Sequence, residues 1–166
     1  MEKREKEIIK TLREKGKDGL KALNVTSEEI DKIVSKIDER MKLLGMEETM
    51  EISKKLNYNL PIDYCVFYSN QLNEHIKPNL FKLGNNIKSI RFLMSMNPDS
   101  KNYIMKFQQL DSQHKDKIVP FAQLEFGDLL CFEKNSNDIV YYDHETDKIT
   151  KLAKKWDDFV KELYGE

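Results

Sequence analysis

The sequence predicts an α+β fold, a single domain with a mainly antiparallel sheet flanked by helices and an N-terminal helical extension. Three observations predict it. Apolar residues recur at three- and four-residue spacing through the first third, strand-length apolar runs separated by turn residues follow residue 117, and an amphipathic segment closes the chain.

The first helix carries Ile8, Ile9 and Leu12 on one stripe, broken at Gly16 and Gly19 before Leu20 and Leu23. Thr26-Ser27-Glu28-Glu29 reads as a capping box, in which Thr26 and Glu29 each satisfy the other's backbone N–H. Behind it Ile30, Ile33, Val34, Ile37, Met41 and Leu44 form an apolar face that runs to Gly45. A separate short helix is expected over 46–56, then a turn at Asn57-Tyr58-Asn59. Pro61 starts the next helix, since its missing N–H costs nothing in a first turn, and Tyr64, Phe67 and Tyr68 give that helix an aromatic inner face.

Ile90, Phe92 and Met94 alternate with Arg91, Leu93 and Ser95 as in a strand. Asn97-Pro98-Asp99 ends it, and Tyr103, Ile104, Phe107 and Leu110 predict an amphipathic helix capped by Asp99 or Ser100. Short strands follow at 118–122, 129–132 and 139–142, with turns at Phe126-Gly127-Asp128 and 134–138. A polar turn at Glu145-Thr146-Asp147 leads to a last helix whose apolar face is Trp156, Phe159, Val160 and Leu163.

An apolar fraction of 39% in 166 residues supports a core without disulfide or metal staples, and 34% charged residues imply a well-solvated surface. No run of about 18 apolar residues suggests a membrane span, the N-terminus lacks the apolar centre of a secretory signal, and a cytoplasmic location is expected. Cys65 and Cys131, both in apolar contexts, read as core thiols. Residues 1–45 and 46–120 each carry a net +2, whereas 121–166 hold six lysines against eleven acidic residues, a net −5. That excess suits a basic partner. It opposes nucleic-acid binding, as do Glu28, Glu29 and Asp31 at the helix start that a helix-turn-helix would bring to DNA.

Four motifs in order resemble the SUKH superfamily, which includes fungal cell-wall and glucan-synthesis regulators and bacterial immunity proteins. They are Leu60-Pro61-Ile62-Asp63-Tyr64 with Phe67, then Pro120-Phe121-Ala122 leading into Gly127-Asp128-Leu129-Leu130-Cys131-Phe132. Tyr141-Tyr142-Asp143-His144-Glu145 and the closing helix from Trp156 complete the set. The resemblance covers 46–166 and leaves 1–45 as the extension. One departure stands out: Asn70-Gln71-Leu72-Asn73 occupies the place of an Asn-Gly-Gly turn. The resemblance implies a non-enzymatic binding module: an immunity protein that neutralises a cognate toxin domain, or else a regulatory scaffold.

A catalytic alternative would centre on Asp143-His144-Glu145, but strand neighbours face opposite ways, so His144 cannot share a face with either carboxylate while the strand continues. His75 and His114 lie in expected loops without metal-ligand spacing, and phosphate-loop and nucleophile-elbow motifs are missing. No catalytic, cofactor or metal residue is assigned. The candidate partner-binding residues are Asp128, Asp138, Tyr141, Asp143, His144 and Glu145, an acidic rim with aromatic neighbours. Of Tyr141 and Tyr142, which must face opposite ways, at most one is expected to be exposed.

Overall fold

Helix α1 (Lys3–Gly19) bends at Gly16, whose φ of 64° is outside helical space, and a 3-10 turn over Leu20–Leu23 follows. The bend lets Leu20 join Ile8, Ile9 and Leu44 in one buried cluster, with Leu12, Leu23 and Val25 against it. The computed structural model describes residues 3–34, 37–71 and 74–165. Contacts divide it into two compact units, 1–74 and 75–166, although no Pro/Gly/Ser linker marks the boundary.

Helix α2 (Ser27–Val34) begins with the capping box the sequence predicts: Thr26 N–H donates to Glu29 Oε2 at 2.9 Å, and Glu29 N–H to Thr26 Oγ1 at 3.2 Å. Arg4 also bonds Glu29, and its hydrogen bond, ahead of that from Thr26, holds the Glu29 carboxyl down at about 2. The expected stripe through Ile30, Ile33, Val34, Ile37 and Met41 lies outside the described side chains.

Gly45 does not end a helix. Helix α3 (Ile37–Leu56) runs through it, merging the two helices that the sequence suggests. The reason is a close approach to helix α4 (Ile62–Asn70): a Cβ on Gly45 would sit 2.4 Å from Ser69 Cβ and 2.5 Å from Ser69 Cα. Glycine therefore serves helix packing here and not a terminus. The stop comes at Asn57, in the left-handed region at φ 48°, where Asn57 N–H bonds Lys54 O and Tyr58 N–H bonds Ser53 O. That pair of bonds is a Schellman closure. Tyr64 and Tyr68 are buried on α4, Phe67 is half-buried, and Tyr68 OH reaches Glu48 across the helical hairpin.

The second unit is a six-stranded antiparallel meander in the order β1 (Leu80–Leu83), β2 (Asn86–Leu93), β3 (Ile118–Leu124), β4 (Leu129–Glu133), β5 (Ile139–Asp143), β6 (Lys148–Ala153). The α+β expectation holds, with two strands added. β1 pairs with β2 across the two-residue turn Gly84-Asn85, and β6 is a lysine-bearing edge paired to β5. Helix α5 (Trp156–Lys161) packs on the sheet, Trp156 edge-on to Phe121 and Phe159 edge-on to Phe81. Leu80 and Tyr164 then exchange backbone hydrogen bonds at 2.9 Å, tying the end of the chain to the β1 edge.

β3, β4 and β5 are almost wholly buried, as their continuous apolar runs imply. Pro120 is tolerated in β3 because β2 pairs no further than Ala122 and a bulge at Phe121 interrupts the ladder to β4. The Gln108 amide fills the gap, donating to Pro120 O at 3.0 Å and to Ile104 O at 2.9 Å. This also corrects the helix expected over 103–110. The side chain takes the Ile104 carbonyl that the Gln108 backbone N–H would bond in an α-helix, and Ile104 N–H goes to Ser95 O at 2.7 Å. Only a 3-10 turn, Ile104–Phe107, remains.

Gly45→Ala is expected to lower stability by about 1–3 kcal/mol through overpacking against Ser69, despite the roughly 1 kcal/mol that alanine gains in a helix. Urea unfolding of the variant checks the sign.

Candidate functional site

Successive strand residues point to opposite faces, so Tyr141 and Tyr142 leave β5 in opposite directions. Both are buried, at 4% and 3% exposure. Each sends its hydroxyl to an aspartate: Tyr141 OH donates to Asp128 Oδ2, and Tyr142 OH donates to Asp147 Oδ1 at 3.1 Å. The two aspartates thus hold the β5–β6 turn from both sides.

Asp128 is the centre of the first cluster. It opens β4 after the tight connection Glu125–Gly127, closed by Leu124 N–H to Asp128 O at 2.8 Å. With its side chain 11% exposed, its carboxylate also accepts from His144 Nδ1–H at 2.7 Å and His144 N–H at 3.2 Å, while Lys88 Nζ stands 3.7 Å away. A carboxylate partner accepts only, so Nδ1 carries the proton in the neutral ring and Nε2 is the acceptor. The Lys88 ammonium lies 5.1 Å from the Tyr141 ring centroid, close enough for a cation–π contact. Burial, then the Asp128 carboxylate, pushes the Tyr141 phenol well above its ordinary range.

The His144 ring lies over Gly127, where a Cβ would be 3.4 Å from its Cε1, and Gly127 has φ 91°. Before it, Phe126 is 94% exposed and takes φ 67°, the left-handed region that a bulky aromatic ordinarily avoids.

Beyond the end of β5 alternation lapses. His144 turns back to Asp128, while Asp143 Oδ1 accepts from Glu145 N–H at 2.9 Å and Thr146 N–H at 3.1 Å. The Thr146 bond is the largest reason that the Asp143 carboxyl sits below its usual range. On the other side Asp147 accepts from Ser112 Oγ at 2.5 Å and Gln113 N–H at 3.2 Å, and the Ser112 bond leads in lowering its carboxyl. His114 Nε2 bonds Asp147 O at 3.1 Å, and His75 Nδ1 bonds Arg91 O at 2.9 Å.

Of the six residues chosen from sequence, the structure brings Asp128, Tyr141 and His144 into contact and sets Asp143 and Glu145 on the adjoining turn. Asp138 is elsewhere, at the opposite end of β5, paired with Lys151 Nζ at 3.0 Å. Sequence reasoning missed Lys88, which comes from β2, and Phe126, which reads as part of a turn. Cys131 is buried as expected, whereas Cys65 is only half-buried; burial raises both thiols.

Residues 46–162 match the SMI1 / KNR4 family (SUKH-1). The chain belongs to this family. No curated protein matches it, and no solved structure does. The stretches that resemble the SUKH superfamily have clear structural uses. Gly127-Asp128 and Asp143-His144-Glu145, separate in sequence, meet because the β4–β5 hairpin sets Leu129 opposite Tyr142. Among the described residues no group of three or more His, Cys, Asp or Glu side chains could hold a metal ion, and no helix is long and apolar enough to cross a membrane.

Asp128→Ala strands the Tyr141 hydroxyl and the His144 ring, and is expected to cost about 2–4 kcal/mol in urea unfolding. A pH series gives a second test. Asp143 and Asp147 have depressed pKa values in the folded state, so their contribution is present above the unfolded carboxylate pKa of about 3.9 and is lost as pH falls through the folded values. Asp147→Asn should therefore flatten the acid limb of the stability curve.

Proposed function

We propose that the Asp128-centred end of the sheet is a protein-recognition surface, and that the chain is an immunity protein binding and neutralising a cognate toxin domain. The observation that carries this reading is Phe126. A phenylalanine held at a left-handed position costs on the order of 1–3 kcal/mol, where glycine or asparagine would fit, and this one is left in water beside the fixed His144 ring. The exposure penalty is recovered, and the backbone strain offset, when an exposed aromatic anchors in a partner's pocket, the pattern of interface hot spots.

Asp143, Glu145 and Glu125 line the approach with negative charge, while Lys88 offsets Asp128. Such a rim suits a partner with a basic groove, for example a nuclease, and speeds encounter in a salt-dependent way. On this reading Asp128 and Tyr141 position the surface from beneath, and Phe126, His144, Asp143 and Glu145 meet the partner. Asp138, at the far end of β5, lies outside it.

The test is co-expression with the toxin domain encoded beside this chain, scored by survival and then by co-purification. Survival with a stable complex is expected; continued killing with no complex overturns the immunity reading. Phe126→Asn should keep or raise the melting temperature, because asparagine tolerates the left-handed region, and should weaken the complex at least roughly tenfold. Undiminished affinity in that variant would remove Phe126 from the interface.

A further inference from the structure

The Asp128 cluster leaves one hydrogen-bonding atom unused. His144 gives its Nδ1–H to Asp128 Oδ1 at 2.7 Å, so Nε2 carries a lone pair, and no hydrogen bond reaches it among the described residues. The ring cannot easily turn to hide that atom. It is held by the Nδ1 bond, by its own backbone N–H bonding the same carboxylate oxygen at 3.2 Å, and by the Gly127 backbone against its edge. With the side chain 44% exposed, His144 is a fixed acceptor at the surface.

Charge around it is not balanced. Four carboxylates belong to this corner, those of Glu125, Asp128, Asp143 and Glu145. Lys88 stands by Asp128, and Lys148 lies opposite Asp143 in the β5–β6 register. Glu125 and Glu145, both exposed, make no ion pair among the described residues. Glu125 precedes Phe126 in the chain and Glu145 follows His144, so each flanks a side chain of the proposed surface. Glu145 is near enough for its charge to help raise the Tyr141 phenol.

A fixed acceptor, two uncompensated carboxylates and an exposed aromatic ring have one common complement. It must carry positive charge, offer donors in more than one direction and present a flat face. An ammonium meets the first need and lacks a plane, whereas a guanidinium stacks on an aromatic ring and still directs N–H groups sideways to acceptors.

We propose that this corner binds an arginine side chain of the partner protein. One guanidinium N–H donates to His144 Nε2, the plane lies on Phe126, and the charge is met by Glu125 and Glu145. The proposal rests on reading this end of the sheet as a recognition surface, and places the arginine in the wall of the pocket that takes Phe126. Asp128 and Tyr141 are positioning residues here, since they fix the imidazole without touching the guest.

The test uses the full chain and no toxin. N-acetylargininamide and N-acetyllysinamide are titrated in turn while the histidine ring nitrogens and the Phe126 ring protons are followed by NMR. In the free protein His144 should show a protonated Nδ1 and a bare Nε2. The arginine compound should bind at a roughly millimolar level, shift the Nε2 and Phe126 signals, and outbind the lysine compound by roughly fivefold. Two variants separate recognition from structure. His144→Gln sets an amide oxygen where Nε2 was and gives up the side-chain bond to Asp128; it should keep binding within roughly threefold. His144→Asn keeps a donor to Asp128 and has no acceptor at the Nε2 position; it should lose roughly tenfold. A purely structural His144 would give the opposite order. A protonated Nε2 in the free chain, equal response to the two compounds, or undiminished binding by His144→Asn overturns the proposal. Failed co-expression with intact arginine binding removes the immunity reading alone, and a toxin complex without arginine binding removes this proposal alone.

Discussion

One carboxylate organises the end of the sheet. Asp128 is nearly closed off from water and accepts from a tyrosine hydroxyl, an imidazole and a backbone N–H, with an ammonium nearby. A charge that buried is tolerated only when its lone pairs are filled, so the donors must arrive together. Tyr141 brings β5, His144 brings the β5–β6 turn, and Lys88 brings β2. On the other face of β5, Tyr142 and Asp147 repeat the device with Ser112 and His114. The result is a turn held from both faces, a rigid platform for the side chains that point outward from it.

Two positions depart from local preference, and tertiary packing resolves one of them. Phe126 sits where a small residue would be at ease, and Gly45 sits in mid-helix where alanine would be. At Gly45 the gain is visible in the close approach to Ser69 that the missing Cβ permits. Phe126 is left almost fully exposed, with no such contact among the described residues, and that asymmetry turns attention to a partner.

Local rules were legible wherever the physics is local. The Thr26–Glu29 capping box involves residues three apart, and it forms as read. β3, β4 and β5 announced themselves as apolar runs because both their faces are buried. β1 and β6 did not: one is four residues long, and the other, Lys148–Ala153, is a half-exposed edge whose alternation is blurred by lysines and a bulge near Ile139. Gly84-Asn85, between Leu83 and Asn86-Ile87, was the available signal for the β1–β2 hairpin. The site was legible in part. Asp128, Tyr141 and His144 were chosen for type and neighbourhood, but nothing in their spacing states that all three share one carboxylate.

By itself, the sequence determined the fold class, the family motifs, the central strands, the Thr26–Glu29 capping box and the helix start at Pro61. Periodicity, turn chemistry and capping act over a few residues, and there the pattern suffices. Tertiary structure alone decided that residues 103–110 give their hydrogen bonds to Ser95 and Gln108 in place of a helix, and that α3 continues through Gly45. It also decided that Asp138 is remote from the Asp128 cluster while Lys88 joins it. Each of these depends on a group distant in sequence competing for the same backbone atom, the same space or the same charge, and that competition is settled only when the chain is folded.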